Sequence, residues 1–405
     1  MDLRAKGEKM QFRKKITKAA ALIMSAALVA LFGTAEYYSV QLPKAITTES
    51  ADSVSFGSFP ELTVKHPSAD CAAVSLFGAI PVKNVNISEA EAPVLIAGGN
   101  PFGIKLLMEG VMVTALGPVD SPDGTACPAE TAGIQLGDII NTANDIAVTS
   151  NSDLQKIISE SGGDTVTLAI KRGDSEITAE LQPAYSQRSD SWRGGMWVRD
   201  SIAGIGTMTF IDAATGEFAG LGHPICDSDT HEIIPIHSGE AVSVVITEAQ
   251  RGEAGIPGEL HGRFTRQPVY GSLTDNCESG VYGKLTDFAR QQLCSGGETY
   301  KMGYRQDITE GEAYILSTVS GKEPKKYSAV IEKIDYNSRE TSKNMVIRIT
   351  DEELISAAGG IVQGMSGSPI IQNDRIVGAV THVFVADPTR GYGIFAENMY
   401  QNIAK

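Results

Sequence analysis

Gly359-Gly360-Ile361-Val362-Gln363-Gly364-Met365-Ser366-Gly367-Ser368-Pro369-Ile370-Ile371-Gln372-Asn373 is the stretch on which the reading of this 405-residue chain turns. Glycines surround a serine, and an apolar pair follows a proline. Glycine enters left-handed backbone conformations without a Cβ clash, so Gly364 and Gly367 permit a tight turn around Ser366. A hydroxyl held in such a turn lies beside backbone N–H groups, which is what a nucleophile and its developing oxyanion need. The N–H groups of Gly364 and Ser366 are the candidate oxyanion donors. Ser368, directly after Gly367, reads as a packing residue, and Pro369 stiffens the entry into a strand at Ile370-Ile371. The plain alternative is a glycine-rich turn with an incidental serine, and only a base beside it decides the matter.

Working outward, residues 186–405 hold many short strands with turn residues between them. Examples are Ile202–Phe210, Ala241–Thr247, Ala313–Thr318, Tyr327–Ile334, Met345–Ile349 and Ile376–Val385. That pattern points to an all-β barrel or sandwich. Helical spacing is confined to Asp351–Ala358 and to Glu397–Ala404 at the end. Gly-x-Ser-Gly-x-Pro resembles the nucleophile signature of chymotrypsin-like peptidases, which implies a double β-barrel. By that likeness Arg375–Val380 supplies a hairpin return and a strand lining a specificity pocket, and Gly391–Phe395 leads into a terminal helix.

Six histidines are candidate bases. His66 lies in an early stretch, His382 on the strand after the serine motif, His231 and His237 beside an apolar run, and His261 in a polar loop. His223 sits in Phe218-Ala219-Gly220-Leu221-Gly222-His223-Pro224-Ile225, where glycines and a proline suit a base fixed at a strand end. It lies upstream of Ser366 at a remove fitting a base on a first barrel and a nucleophile on a second. A histidine that merely bonds a loop carbonyl is the bland reading. An imidazole base needs an orienting partner. Asp227, Asp229, Asp275, Asp287, Asp307, Asp335 and Asp351 all lie between the two, and spacing does not choose among them. Asp351 follows a strand and serves equally well as a helix N-cap. A cysteine nucleophile at Cys226 ranks low, since residues three apart on a strand or turn face different ways.

Residues 101–185 form a smaller module. Val111–Leu116 reads as a strand, and Ser152–Ser161 carries Leu154, Ile157 and Ile158 at amphipathic helical spacing. Thr165–Lys171, a Gly173-Asp174 turn and Glu176–Leu181 make a hairpin. With Pro128–Ile134 and Gln135–Ile140 between, the order resembles a PDZ domain, a module that takes an extended peptide as an added strand. That likeness implies a carboxylate-binding loop at Pro101-Phe102-Gly103-Ile104 and a groove helix at Ser152–Ser161. A small β-rich packing module is the plainer reading.

Arg13, Lys14, Lys15 and Lys18 precede an apolar run from Ala19 to Phe32. A basic flank, an apolar core and small residues after it describe an export signal, and residues 16–38 are also long enough to hold the chain at a membrane. Residues 39–100 read as a stalk with a few short strands. Formal net charge is −15, which makes a poor partner for phosphate backbones and excludes nucleic acid. Five cysteines without a Cys-x-x-Cys pair argue against a structural zinc site, although Cys277 and Cys294 are candidates for a bridge. The expected organisation is therefore a signal or anchor at 1–38, the stalk at 39–100, a PDZ domain at 101–185 and a peptidase domain at 186–405, mainly β throughout.

Gly359–Asn373 and Gly222-His223-Pro224-Ile225, in the order signal segment, PDZ domain, peptidase domain, resemble the stage IV sporulation protein B family. The resemblance implies a triad of His223, Asp351 and Ser366, with Asp351 in its Ile-Thr-Asp-x-Glu-Leu setting, and no metal or organic cofactor. It also implies export across the forespore membrane into the space between two membranes. There such proteins cleave themselves and a membrane-bound regulator, which frees an intramembrane protease to activate a late sigma factor. The PDZ domain would hold the chain's own N-terminal region or a partner's tail. A PDZ-based peptide-binding scaffold with a degenerate protease-like domain is the competing expectation.

Overall fold

The computed structural model of the chain describes residues 2–403, apart from 69, 123, 174 and 267. Asp174 of the expected hairpin turn and Ala404 of the expected last helix lie outside the described residues. The chain divides into two compact units.

The first unit holds residues up to Ala92, with Tyr304–Glu310 and Ile334–Arg339. Helix α1 runs Asp2–Gln41, and its part Thr17–Gln41 is long and apolar enough to cross a bilayer. At 1.5 Å per residue that part spans roughly 38 Å, against a hydrocarbon core of about 30 Å. Leu22, Ile23, Met24, Val29 and Phe32 are exposed on it. The last carbonyls of a helix lack intrahelical donors. Here Asn337 Nδ2 donates to the carbonyls of Val40, Gln41 and Leu42 at 2.7, 2.9 and 2.9 Å, and Lys83 Nζ reaches that of Ser39 at 3.0 Å. Strands β1 (Ala45–Thr48), β2 (Leu62–Ser68), β3 (Cys71–Leu76) and β4 (Ile80–Glu89) form a sheet of order β1-β4-β3-β2. Ile46, Phe56, Val74, Val85 and Ile87 pack into its own core. The short strands expected within residues 39–100 thus form one folded sheet over Ala45–Glu89: alternate apolar side chains on β3 and β4 find a common buried face.

The second unit holds the remaining residues. Strand β5 (Pro101–Leu116) serves two bodies at once. Ile104, Leu106 and Met108 are buried while Lys105, Leu107 and Glu109 are exposed, the period of a half-buried strand. Gly110, at φ +78°, then redirects the chain, and a Cβ there would lie 2.7 Å from the Ile140 carbonyl oxygen. Beyond it β5 pairs with β6 (Ile139–Ala143), which continues through β7 (Val166–Arg172) to β8 (Ser175–Leu181). Helix α2 (Asn151–Glu160), capped by Ser150 through the Asp153 N–H, covers this sheet with Leu154 and Ile158. Gly137 at φ +85° presents Asp138, whose buried carboxylate takes two bonds from Arg172 at 2.7 Å and one from the Gln135 N–H at 2.8 Å.

The first half of β5 belongs to a closed six-stranded barrel. Strands β9 (Met196–Ile211), β10 (Glu217–Gly220), β11 (Ile236–Gln250), β12 (Gly271–Cys277) and β13 (Gly280–Leu285) complete it, in the ring β9-β10-β13-β12-β11-β5. Phe102, Ile104, Met208, Phe218 and Leu273 fill it. A second set comprises β14 (Gly311–Ser317), β15 (Lys325–Ile334), β16 (Met345–Ile349), β17 (Pro369–Gln372), β18 (Arg375–Phe384) and β19 (Asp387–Phe395). Its order is β15-β14-β17-β18-β19-β16, and the Thr350 and Asp351 N–H groups bond the Ser328 carbonyl on β15, at 3.0 and 3.2 Å. Helix α3 (Glu352–Ala358) follows β16, and α4 (Ala396–Ile403) follows β19.

Candidate active site

The turn at Ser366 is held from the first barrel and from the second strand set. Gly364 and Gly367 have φ of +94° and +97°, which L side chains rarely adopt. From β9, Thr207 N–H donates to the Ser366 carbonyl at 3.0 Å and Thr207 Oγ1 to that of Gly364 at 2.8 Å. Thr209 Oγ1 donates to the Gly367 carbonyl at 2.8 Å. From β18, the Val380 carbonyl accepts the Gly367 N–H at 2.8 Å. Among the described residues neither the Gly364 nor the Ser366 N–H has an acceptor within the protein, so both stay available to an oxyanion. Ser368 is buried and donates to Ser317 Oγ at 2.9 Å, a packing role.

Leu221 and Gly222, both with positive φ, end β10 in a sharp turn that presents His223. His223 Nδ1 lies 2.8 Å from the Pro224 carbonyl oxygen. A carbonyl only accepts, so Nδ1 carries the proton and Nε2 keeps its lone pair. Ser366 Oγ donates to the Thr381 carbonyl at 2.7 Å. Both side chains line one cleft of about 410 Å³ with Ile104, Ile205, Leu221 and His382. The β18–β19 ladder shifts register between Val380 and Val383, and this bulge turns Thr381 and His382 out of regular pairing. The His382 ring stands 4.7 Å from that of His223, tilted by 35°.

Burial pushes the His223 pKa below its ordinary value, and the bond to Pro224 only partly opposes that shift. His382 is pushed down to about 4, chiefly by burial, then by the charges of His223 and Lys343, against a smaller upward effect of Glu340. Both rings are therefore neutral near pH 7, the state in which an imidazole accepts a proton. Cys226 lines the same cleft, but burial and then Glu278 and Glu232 raise its thiol pKa, away from the reactive thiolate. All five cysteines are free, including Cys277 and Cys294.

Asp351 does not join this cleft. It is the N-cap of α3: Oδ1 accepts from the Leu354 N–H at 3.1 Å and Oδ2 from the Ser328 N–H at 3.2 Å. No carboxylate contributes to the His223 shift. In this structure the expected third triad member thus caps α3 at the end of β16 and is not among the residues lining the cleft. Asparagine caps as well as aspartate, so Asp351→Asn should leave kcat within a few-fold. A triad aspartate would lose about 10⁴-fold on that change. Steady-state kinetics on the purified variant separates the two.

The expected carboxylate loop is also displaced. Phe102, Gly103 and Ile104 lie inside β5, paired on one side with Gly206, Ile205 and Gly204 and on the other with Ser243, Val242 and Ala241. With both edges occupied they offer no strand to a peptide, and Phe102 is fully buried. Gly103 is small because a Cβ would meet the Phe264 ring at 2.5 Å and Val242 at 2.6 Å. The face of α2 formed by Asn151, Leu154, Gln155 and Ile158 instead opposes Arg193–Val198, across a cleft of about 370 Å³. On its other edge Met196–Arg199 pairs with Met112–Leu116 of β5. The glycine pair Gly194-Gly195, just before that strand, was the available sequence signal.

Residues 190–400 match the family described as SpoIVB peptidase S55, and residues 108–182 match the PDZ domain family. No curated protein matches. Among solved structures, the PDZ domain of the SdrC-like protein from Listeria monocytogenes is 23% identical, over 22% of this chain and 87% of that one, with a TM-score of 0.18. A thermostable serine protease from an extremophilic microorganism is 12% identical, over 50% of this chain and 92% of that one, with a TM-score of 0.30. With the family match covering His223, Ser366 and every barrel strand described except β5, the chain belongs to the SpoIVB peptidase S55 family and is a serine peptidase carrying a PDZ domain.

Proposed function

We propose that Ser366 is the nucleophile and His223 the base of a signalling endopeptidase that cleaves itself and a membrane-bound regulatory protein. The observation that carries this reading is the pair itself: a half-buried turn serine and a neutral imidazole, from different strand sets, line one cleft. Rotation about the Ser366 Cα–Cβ bond takes Oγ from the Thr381 carbonyl toward His223 Nε2. The Oγ proton passes to Nε2 as Oγ bonds the scissile carbonyl carbon, and the N–H groups of Gly364 and Ser366 stabilise the oxyanion. The imidazolium returns the proton to the leaving amine, and water then hydrolyses the acyl-enzyme by the same relay. The Nδ1–H bond to Pro224 holds the required tautomer throughout.

Export across the forespore membrane into the intermembrane space, and release of an intramembrane protease acting on a late sigma factor, fit the family and the apolar N-terminal helix. The PDZ domain suits capture of a peptide, from a partner or from the chain's own N-terminal region, between α2 and Met196–Val198. A degenerate scaffold is disfavoured by the shared cleft of Ser366 and His223. A fluorophosphonate should form one adduct on the purified chain, and peptide mapping should place it on Ser366. An adduct elsewhere, or none, would sink the assignment.

Because burial lowers the His223 pKa, the neutral base persists below pH 6.5 and is lost only as pH falls through the lowered value. The acid limb of kcat/KM for p-nitrophenyl acetate should therefore lie below 6.5. A limb at 7 or above would contradict the buried-base geometry.

A further inference from the structure

We propose that Arg199, on the PDZ side of β9, is a positioning residue of the hydrolytic site, which acts on His223 by neutralising Asp227 in the hairpin that follows this base. The inference rests on the assignment of Ser366 and His223 above.

The backbone holds His223 from two sides. Before it stands the Leu221-Gly222 turn, with positive φ at both residues. After it the chain makes a short hairpin before entering β11. The Ile234 N–H donates to the Ile225 carbonyl at 3.1 Å, Cys226 pairs with Ile233, and the Asp227 N–H donates to the Glu232 carbonyl at 2.9 Å. Asn276 on β12 closes the base of this hairpin. Its Oδ1 accepts the Ile225 N–H at 2.8 Å, and its Nδ2 donates to the carbonyls of Ile225 and Ile234, both at 2.9 Å.

The tip is built around one carboxylate. Asp227 Oδ1 accepts the N–H groups of Asp229 and Thr230 at 2.9 and 3.0 Å. Its Oδ2 is held by Arg199 Nη1, while Arg199 Nη2 reaches Asp229 at 3.0 Å. The Asp227 side chain is fully buried. Burial pushes its pKa up, but the N–H bonds from Thr230 and Asp229, and then the Arg199 guanidinium, outweigh burial and hold it below the ordinary value. Arg199 is the only cation contributing to that shift. Without it a buried charge loses its partner, which is strongly destabilising. The hairpin relieves that state by opening its tip to water, and the same opening loosens the Ile225–Ile234 pairing beside the base.

Arg199 is itself anchored in the PDZ domain. It pairs with Met112 on β5, and Met196–Val198 just before it lie opposite α2. The next residue, Asp200, accepts the Asn151 N–H at the start of α2 at 2.9 Å. The hairpin rests on the same domain, since a Cβ at Gly137 would lie 3.4 Å from Glu232 Cγ. Farther along β9, Thr207 and Thr209 hold the nucleophile turn. One strand thus runs from the PDZ domain, past the hairpin of the base, to the turn of the nucleophile.

The test uses purified full-length chain in detergent, with p-nitrophenyl acetate as substrate and a fluorophosphonate, run to completion, to count Ser366 sites. Arg199→Met keeps an apolar stem and removes the charge. Its kcat per counted site should fall at least about ten-fold, with KM within a few-fold. Arg199→Met/Asp227→Asn leaves no buried charge unpaired, and the amide oxygen still accepts from Asp229 and Thr230. Its kcat per site should return to within about three-fold of the unaltered chain. Unchanged kcat per site in Arg199→Met would overturn the proposal, as would a loss confined to the number of sites or to KM, or a double variant as slow as the single one. If Arg199→Met fails to fold, the double variant decides, and a kcat per site at least about ten-fold below the unaltered chain overturns the proposal. No Ser366 adduct on the unaltered chain would remove the assignment and this role together. A normal adduct with unchanged turnover in Arg199→Met would remove this role alone.

Discussion

Purified Ser366→Ala protein should stay at full length under conditions where the proposed self-cleavage shortens the unaltered chain, and its turnover of p-nitrophenyl acetate should fall by about 10⁶-fold, the scale seen when a hydrolase loses its serine nucleophile. The residual rate would come from the oxyanion donors alone. Stability should barely change. The hydroxyl makes one described bond, to the Thr381 carbonyl at 2.7 Å, and such a bond contributes about 1 kcal/mol. N-terminal sequencing of both proteins reads the outcome and locates the cleavage points. Ser368 offers no substitute nucleophile, being fully buried and bonded to Ser317. Processing at the normal rate in the folded variant would place the nucleophile elsewhere.

Gly367→Ala should be the most damaging single methyl group in the active-site turn. Its Cβ would lie 2.0 Å from the Thr207 carbonyl oxygen and 2.5 Å from the Leu221 nitrogen, at a φ of +97°. Both obstacles are main chain, one on β9 and one at the turn before His223, so neither swings aside. The only relief is to part the first barrel from the nucleophile turn, which breaks the bonds from Thr207 and Thr209. A loss of at least about 4 kcal/mol follows from strain of this kind. At about 2–4 °C per kcal/mol for a body of this size, the melting temperature should drop by at least about 8 °C, with activity lost as well. Gly204→Ala is the control, since a Cβ there meets nothing within 4 Å. Equal melting temperatures for the two variants would show that the turn is far softer than its packing implies.

Much of the site was legible because its signals are local. Gly364 and Gly367 announce a turn through the backbone conformations they permit, and Leu221-Gly222 does the same before His223. Two neighbouring cases are left open by local pattern for an equally physical reason. Asp351 at a strand end has the same surroundings in sequence whether it caps a helix or orients an imidazole; Leu354 and Ser328 take its oxygens. Gly103 resembles a loop glycine, yet it is small because Phe264 and Val242 crowd it within β5. His382 was visible as a histidine on the strand after the serine, but the bulge that aims it depends on how β18 meets β19. The strand opposite α2 was missed because it comes after the module in sequence, and only pairing with Met112–Leu116 brings it there.

By itself, then, the amino-acid order determined the β-rich character, the apolar N-terminal helix, the helix that covers the PDZ sheet and the glycine turn at Ser366. These follow from periodicity and backbone freedom, which act over a few residues. Tertiary structure decided which histidines stand beside that serine, which N–H groups Asp351 bonds, and where β5 stops serving one barrel and starts serving the PDZ sheet. Those outcomes depend on contacts between strands far apart in the chain, where side-chain volume and ladder register, rather than local pattern, determine what touches what.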